Sequence, residues 1–313
     1  MALADVIQPR VLADMVLEKL TDEVLDLAGV DTSNQFPIGT KGTKWEIPYQ
    51  QLIGDLQVDG EGVTLVPTAA TQTAYSHIVT RKGQAYKVPD IDRMAANQDP
   101  GQFLSAQIAQ IVAKDLQASR FRILEGAIPS ANRKIVAGSL ASSDVSAAKY
   151  LIGDKASMLK YMLVHSKVYE DLETAGAIVW QPAANIIPVI AAQGNTLGIV
   201  APAGSVATCR GMIVRQTDGI TTVSGSPDTY VTYLLGNGAM GLFYQRNLAI
   251  EYDRESLSDG GYDIIIPRLD FVMCLHGTDY GSSSYSDANL INTANYTLKW
   301  NQKQVHAVRI ISQ

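Results

Sequence analysis

The stretch DPGQFLSAQIAQIVAKDLQASRFRILEGAIP, residues 99–129, carries the strongest structural signal in this 313-residue chain. Asp99 is a good N-cap, Pro100 suits the first helical position, and Gln102 stands where a capping box places Glu or Gln. Gly126 stops the pattern. The stretch predicts one helix of about 40 Å at 1.5 Å per residue. Its apolar stripe comprises Leu104, Ile108, Ile111, Val112, Leu116 and Ile123.

A long β excursion precedes this helix. Residues 43–49, TKWEIPY, predict a short edge strand, and residues 71–88 predict a longer one rich in Thr, Tyr and Val. Together they predict a two-stranded hairpin with a long tip, which needs a partner because such a hairpin is only marginally stable alone. The tip is expected to be extended because it contains Gly54, Gly60, Gly62 and Pro67.

Further elements are predicted on both sides. Residues 9–29 predict an acidic amphipathic helix whose apolar face includes Leu12 and Val16. Residues 155–174 predict a second strong helix, and short apolar runs broken by Gly and Pro predict a mixed α/β region over residues 178–215. Strands are predicted at residues 229–235, 264–275, 294–300 and 304–311.

Composition excludes several classes of protein. With 46% hydrophobic and 18% charged residues, the chain can bury a large core in about two domains and is not disordered. So few charges indicate surface that is covered by other protein. The net charge of −6 argues against a protein that wraps nucleic acid. Acidic residues interrupt the N-terminal region, and Pro and Gly break the most apolar stretch, so we expect neither a signal peptide nor a transmembrane helix.

Motifs with catalytic or cofactor-binding spacing do not predict an enzyme. Gly236, Gly238 and Gly241 match G-x-G-x-x-G, but the sequence after them alternates like a strand, so a tight turn is the better interpretation. His165, Ser166 and Asp171 are the residue types of a catalytic triad, but neighbouring His165 and Ser166 would not face each other on a helix. His165 is expected on the apolar face of that helix as a hydrogen-bonded core residue.

Metal binding is also not predicted. Cys274 and His276 would share one face of a strand, but no other histidine lies at ligand spacing. Cys209 and Cys274 are expected to be buried free thiols. We expect no cofactor.

The order of elements resembles the major capsid (coat) protein of tailed bacteriophages, with the Hong Kong ninety-seven type fold. VIQPRVLADMVLEKLTDEVLDLAGV is similar to the family's N-terminal arm, and GTKWEIPYQQLIGDLQVDGEGV resembles the rising half of its extended loop. Residues 99–128 resemble its spine helix, and SMLKYMLVHSKVYEDLETAG resembles a helix of its axial domain. YVTYLLGNGAMGLFYQ and ANYTLKWNQKQVHAVRIISQ resemble its later strands.

The resemblance implies an α+β capsid fold with four parts. They are an N-terminal arm at residues 1–41, an extended β-hairpin loop at 42–88, a peripheral domain with a long spine helix at 89–150 and 247–285, and an axial α/β domain at 151–246 and 286–313. The implied function is self-assembly into hexamers and pentamers of an icosahedral phage head that encloses double-stranded DNA. The protein would belong to the virion capsid and assemble in the cytoplasm of a bacterial host.

The implied partners are further copies of the chain, a portal protein, packaged DNA bound without sequence specificity, and a decoration protein. No Lys and Asn pair for a covalent cross-link and no long charged N-terminal domain can be identified, so scaffolding is expected from a separate protein. Candidate residues for contacts between subunits are Leu12, Val16, Trp45, Arg81 and Lys82.

The sequence is also compatible with two other functions. A bacterial nanocompartment shell of the same fold would enclose a cargo enzyme instead of DNA. An α/β enzyme would bind a nucleotide cofactor at the glycine turn near Gly238.

Overall fold

The computed structural model describes residues 28–31, 43–50, 72–89, 100–182, 205–220, 222–223, 225, 227–255 and 261–313. Leu12, Val16, the predicted arm helix and most of the predicted loop tip lie outside these residues. The division into arm, loop, peripheral and axial domains stays a prediction.

The predicted long helix is confirmed as α1, Pro100–Ala127. Ile108, Leu116 and Ile123 of the predicted stripe are buried in the main core. Ile111 is instead 46% exposed, because it lies roughly 100° around the helix axis from the centre of that stripe.

The C-terminal end of α1 is held by a guanidinium. Arg133 donates from Nη2 and Nε to the Ile128 carbonyl at 2.6 and 2.9 Å, and more weakly to the Glu125 and Gly126 carbonyls. These carbonyls have no partner within the helix, and a cation is favourable at that end of the helix dipole. Gly126 lies inside the helix, where an added Cβ would collide with the carbonyl oxygen of Leu290.

One face of α1 packs on a five-stranded sheet. Its order is β1, β12, β13 and β4, with β5 also paired to β13. Ile265, Leu269 and Phe271 of β13 share the main core with Ile108 of α1. The strands are β1 (Val30–Asp31), β4 (Thr80–Gly83), β5 (Tyr86–Pro89), β12 (Met240–Glu255) and β13 (Tyr262–Leu275).

The second sheet has seven strands, in the order β6, β16, β11, β7, β10, β9 and β8. Its strands are β6 (Arg133–Ile135), β7 (Leu159–Val164), β8 (Val179–Pro182), β9 (Ser205–Cys209), β10 (Met212–Gln216), β11 (Tyr230–Gly236) and β16 (Ala307–Ser312). Helices α2 (Ser142–Lys149) and α3 (Ser166–Thr174) contribute to a second core on one side of it. On its other side lies the main core with α1.

The predicted helix at residues 155–174 is wrong over its first half. A 3-10 segment, Tyr150–Met158, is followed by the central strand β7, and only α3 is helical. Tyr161 and Leu163 face the main core, whereas Met162 and Val164 face the second core. A strand buried on both faces is a continuous apolar run, which periodicity does not distinguish from a buried helix.

Shorter elements complete the chain. The strand predicted at residues 294–300 is reduced to β15 (Tyr296–Leu298), because a 3-10 turn (Thr293–Asn295) occupies its start. Another 3-10 turn, Gln302–Gln304, delays the last strand, β16, to Ala307. β15 pairs with β14 (Thr278–Tyr280), and α4 (Asp287–Ile291) packs on α1. Among the described helices, none is long and apolar enough to cross a membrane.

Candidate functional site at the base of the hairpin

The predicted two-stranded hairpin is confirmed where the structure describes it. β2 (Lys44–Gln50) and β3 (Gln72–Ile78) pair antiparallel from Lys44 with Ile78 at the root to Gln50 with Gln72 at the far end. Within the described residues these two strands form a sheet of their own. At its root the hairpin continues through Val79 into β4, which belongs to the five-stranded sheet.

The apolar face of the hairpin packs on β12 and β13. Trp45 lies against Phe243, with ring centroids 4.3 Å apart. Phe243, Val272 and Cys274 form a small core cluster here, and Ile47 and Val79 pack against it from the hairpin side. An aromatic pair adds about 0.5–1.5 kcal/mol beyond the burial of its area, so Trp45 is a main apolar anchor of the hairpin.

Tyr75 forms a polar contact inside this aromatic group. Its hydroxyl lies 2.9 Å from Nδ1 of His276, and its ring meets His276 and Trp300 edge to face. Burial raises the pKa of Tyr75 and lowers that of His276, so both groups are neutral near pH 7. The contact is therefore a hydrogen bond between neutral groups, not an ion pair.

Backbone and carboxylate groups after β13 hold the other residues of β3. Nε2 of buried His77 donates to the Thr278 carbonyl at 2.7 Å. Burial lowers the pKa of His77 to about 4, so the ring is neutral near pH 7. Ser76 donates through its backbone N and its hydroxyl to Oδ1 of Asp279. Burial acts to raise the pKa of Asp279, but these two hydrogen bonds outweigh it and the pKa is lowered.

Arg81 and Lys82 fasten the chain that leaves the hairpin. Arg81 Nε lies 2.9 Å from Oδ1 of Asp270, whose carboxylate also lies 3.4 Å from Nε of Arg246. The hydrogen bond that Arg81 donates to the Asp270 carboxylate raises the pKa of Arg81. Lys82 Nζ is 2.8 Å from the Asp115 carboxylate of α1, so the two adjacent basic residues anchor to different elements.

Trp45, Arg81 and Lys82, which the sequence predicts to contact other subunits, thus come together at the root of the hairpin. All three have partners within the same chain, and their contacts with another copy stay a prediction. No pattern in the sequence indicated their partners elsewhere in the chain, chiefly Phe243 for Trp45 and Asp270 for Arg81. The alternation Tyr75, Ser76, His77 is the signal that indicates one buried and one open face of β3.

The glycine motif makes a turn between two sheets, as the sequence predicts. Gly236 ends β11, Gly238 has a φ of +61°, and β12 begins at Met240. Because a strand follows instead of a helix, the turn presents no helix N-terminus to a pyrophosphate.

The His165 region is a helix start and not a catalytic triad. His165 caps α3 by accepting a bond from the Lys167 backbone N, so its predicted place on the apolar face of a helix is wrong. Asp171 binds Lys167 at 3.2 Å. Cys209 and Cys274 are buried and free, as predicted, and no group of three metal-ligating side chains occurs in the described part of the chain.

Comparison with known proteins identifies the fold. No family model matches the chain. It is 24% identical over 283 residues to the major capsid protein of Bacillus phage SPP1, covering 86% of this chain and 82% of that protein. The capsid of Ralstonia phage GP4 superposes with a TM-score of 0.60 at 10% identity, covering 93% and 92% of the two chains. The capsid structure of cyanophage P-SCSP1u gives 0.57 at 10% identity, covering 93% and 89%.

These relatives are capsid proteins, not α/β enzymes that bind a nucleotide cofactor. The comparisons therefore confirm the predicted resemblance and the α+β fold class. The chain has the Hong Kong ninety-seven type capsid fold and is similar in sequence to the major capsid protein of a bacteriophage.

Proposed function

We propose that this protein is the major capsid protein of a tailed bacteriophage and a structural protein, not an enzyme. The observation that carries the proposal is the relationship to the SPP1 major capsid protein over 86% of the chain, on a capsid fold. Copies of the chain form hexamers and pentamers, and these build an icosahedral head. The protein resides in the virion capsid and assembles in the bacterial cytoplasm.

The hairpin supports self-assembly. Its two strands pair only with each other in the described chain. Their inner face packs on β12 and β13 of the same chain, and a neighbouring copy lies against the outer face, where Lys44 and Glu46 are exposed. If each copy gives its hairpin to the next, the same heterologous contact repeats around a ring until the ring closes.

Surface composition supports burial against further copies. The edge strand β8 exposes Val179 and Trp180, and the edge strand β6 exposes Ile135. Edge strands with apolar side chains favour association. Because each chain carries a net charge of −6, the shell encloses double-stranded DNA without binding it tightly.

The proposed shell has further partners. A portal protein occupies one vertex, a separate scaffolding protein directs assembly, and a decoration protein binds outside. The proposed organisation keeps the arm at residues 1–41, the loop at 42–88, and the two discontinuous peripheral and axial domains.

Electron microscopy of the purified chain, alone and co-expressed with a scaffolding protein, tests the proposal. We expect closed shells of uniform diameter. Small oligomers under every condition would contradict it. Nucleic acid extracted from particles of infected cells distinguishes a head from a nanocompartment, because only a head is filled with double-stranded DNA.

A further inference from the structure

Basic residues gather at one end of the seven-stranded sheet. β7, β10 and β16 begin at this end, and β9 and β11 finish there. The turn between β9 and β10 and the 3-10 segments that precede β7 and β16 therefore lie at the same end. Together with α2 and β7 they carry five cations, which we call the basic end: Lys149, Lys155, Lys160, Arg210 and Lys303.

Three of these cations lie around the turn between β9 and β10. Nζ of Lys149 donates to the carbonyl of Arg210 at 3.0 Å, and Nε of Arg210 donates to the Ser142 hydroxyl at 2.7 Å. The pKa of Lys149 is lowered, mainly by burial and further by the charge of Lys160. Lys149 and Lys160 thus lie close enough to repel each other.

The other two cations come from the 3-10 segments. The side chain of Lys303 lies beside Gly153, in the same segment as Lys155. Burial, and then the charge of Lys155, lower the pKa of His306, so this histidine is neutral near pH 7 and adds no sixth charge.

The basic end is not neutralised within the described chain. None of its five cations forms an ion pair with a described carboxylate, whereas Lys134, Lys167 and Lys299 each have one within 3.7 Å. The same segments contain two acids: Asp144 is paired with Lys134, and Asp154 is exposed. Positive charge is therefore concentrated here, in a chain whose net charge is −6.

The side chains of the basic end favour phosphate over protein as the partner. Interfaces between proteins are rich in Arg and poor in Lys, whereas the basic end has four Lys and one Arg. Lysine binds phosphate as a point charge and needs no fixed geometry. Duplex DNA presents one negative charge per roughly 1.7 Å of its axis, so several dispersed cations can bind it at once.

We infer that the basic end binds phosphate groups of packaged double-stranded DNA and faces the inside of the shell. The inference rests on the proposed function and adds a contact site to it. The rest of the chain is acidic and repels DNA, so the contact is local, weak and independent of base sequence. Its strength falls as salt rises, because bound phosphates release counterions.

The salt dependence of DNA binding tests the inference. Fluorescence anisotropy measures binding of the purified full chain to a labelled duplex of mixed sequence. For five phosphate contacts, the logarithm of the association constant should fall against the logarithm of salt with a slope of about −4.5. Lys155→Gln with Lys303→Gln should reduce this slope to about −2.7. Both side chains are exposed and form no hydrogen bond in the described chain, so the thermal transition should not change.

Lys44→Gln with Lys114→Gln is the matched control. Both lysines are exposed, lie outside the basic end and form no ion pair with a described carboxylate. This variant loses the same charge and should keep the slope of the unaltered chain. Equal slopes in the two double variants, or no binding by the unaltered chain at low salt, would overturn the inference.

Two exposed apolar side chains distinguish DNA from an acidic protein as the partner. Tyr150 and Met158, 69% and 45% exposed, stand near Lys149 and Lys160 in sequence. A protein partner would bury them, so Tyr150→Ala with Met158→Ala should leave DNA binding unchanged. Lower DNA affinity in that variant, or polyglutamate that displaces the labelled duplex as effectively as unlabelled DNA, would overturn the inference.

Acetylation of lysines in intact heads gives a second measurement. Lys155 and Lys303 should react several-fold more slowly in DNA-filled heads than in emptied heads, because bound phosphate covers their ammonium groups. Equal rates in normal, DNA-filled heads would overturn the inference and leave the proposed function standing. Failure of the unaltered chain to form shells would overturn the proposed function, and with it the inference, whatever the affinity of the chain for DNA.

Discussion

The Trp45 indole lies 4.3 Å, centroid to centroid, from the Phe243 ring and joins the hairpin to β12. Trp45 stands opposite His77 in the hairpin, and Phe243 stands opposite Val272 in the body. One aromatic contact thus connects two sheets that share no backbone hydrogen-bond ladder in the described chain.

Trp45→Ala should loosen the root of the hairpin. Loss of a partly buried indole removes about 2 kcal/mol from the free energy of opening β2 and β3. Hydrogen exchange of the strand amides measures this opening. Glu46→Ala, on the exposed side of the same strand, is the control. If the amides of β2 and β3 were equally protected from exchange in both variants, Trp45 would not hold the hairpin.

Stability should fall as pH drops from about 6.5 to 4. The pKa of His77 is 6.5 when the ring is exposed and about 4 in the folded protein, so the unfolded state binds more protons within this window. The contribution of neutral His77 to the free energy of unfolding is complete above pH 6.5. It falls as pH drops through this window, by about 3 kcal/mol at most. His276 and His306 shift in the same direction.

Urea unfolding at several pH values measures this dependence. The slope of the free energy of unfolding against pH should be smaller in His77→Gln. Glutamine keeps a donor for the Thr278 carbonyl and does not titrate. An unchanged slope in that variant would assign the pH dependence to other groups.

Gly277→Ala should destabilise the protein more than Gly176→Ala. Both glycines have positive φ, +83° and +65°, which costs an L-residue about 1 kcal/mol. A Cβ at Gly277 would also lie 2.7 Å from the Trp300 indole, whereas nothing lies within 4 Å at Gly176. We expect a loss of about 3 kcal/mol against about 1 kcal/mol in thermal unfolding. Equal losses would mean that Trp300 moves aside without cost.

Leu12→Asp or Val16→Asp should impair shell formation and leave the subunit soluble. The predicted arm helix then carries a charge on the apolar face that we propose docks on the next copy, and we expect the particle yield to fall about tenfold. Sedimentation of assembled and free protein measures the effect. Equal destabilisation of the isolated subunit would place this helix in the subunit core instead.

Deletion of residues 50–67 should abolish assembly without unfolding the body. The root contacts of Arg81 with Asp270 and of Lys82 with Asp115 lie outside the deletion, so the thermal transition of the body is retained. Shells that form normally from the deleted chain would contradict a role of the loop between subunits.

Local patterns were sufficient for several elements. The caps and stripe of residues 99–129 predict α1 to within a residue at its start, because helix ends and amphipathic faces are encoded over short distances. The alternation in β2, β3 and the long strands of the five-stranded sheet is also local. β7 was not predictable in this way, since its apolar run reflects burial on both faces by elements distant in sequence.

The sequence by itself determined helix α1, the strands of the hairpin and the capsid fold class, because these follow from local spacing and overall resemblance. Only the tertiary structure decided what Arg81 and Asp270 do. They are 189 positions apart, and a cross-strand pair between β4 and β13 exists only once the sheet has formed.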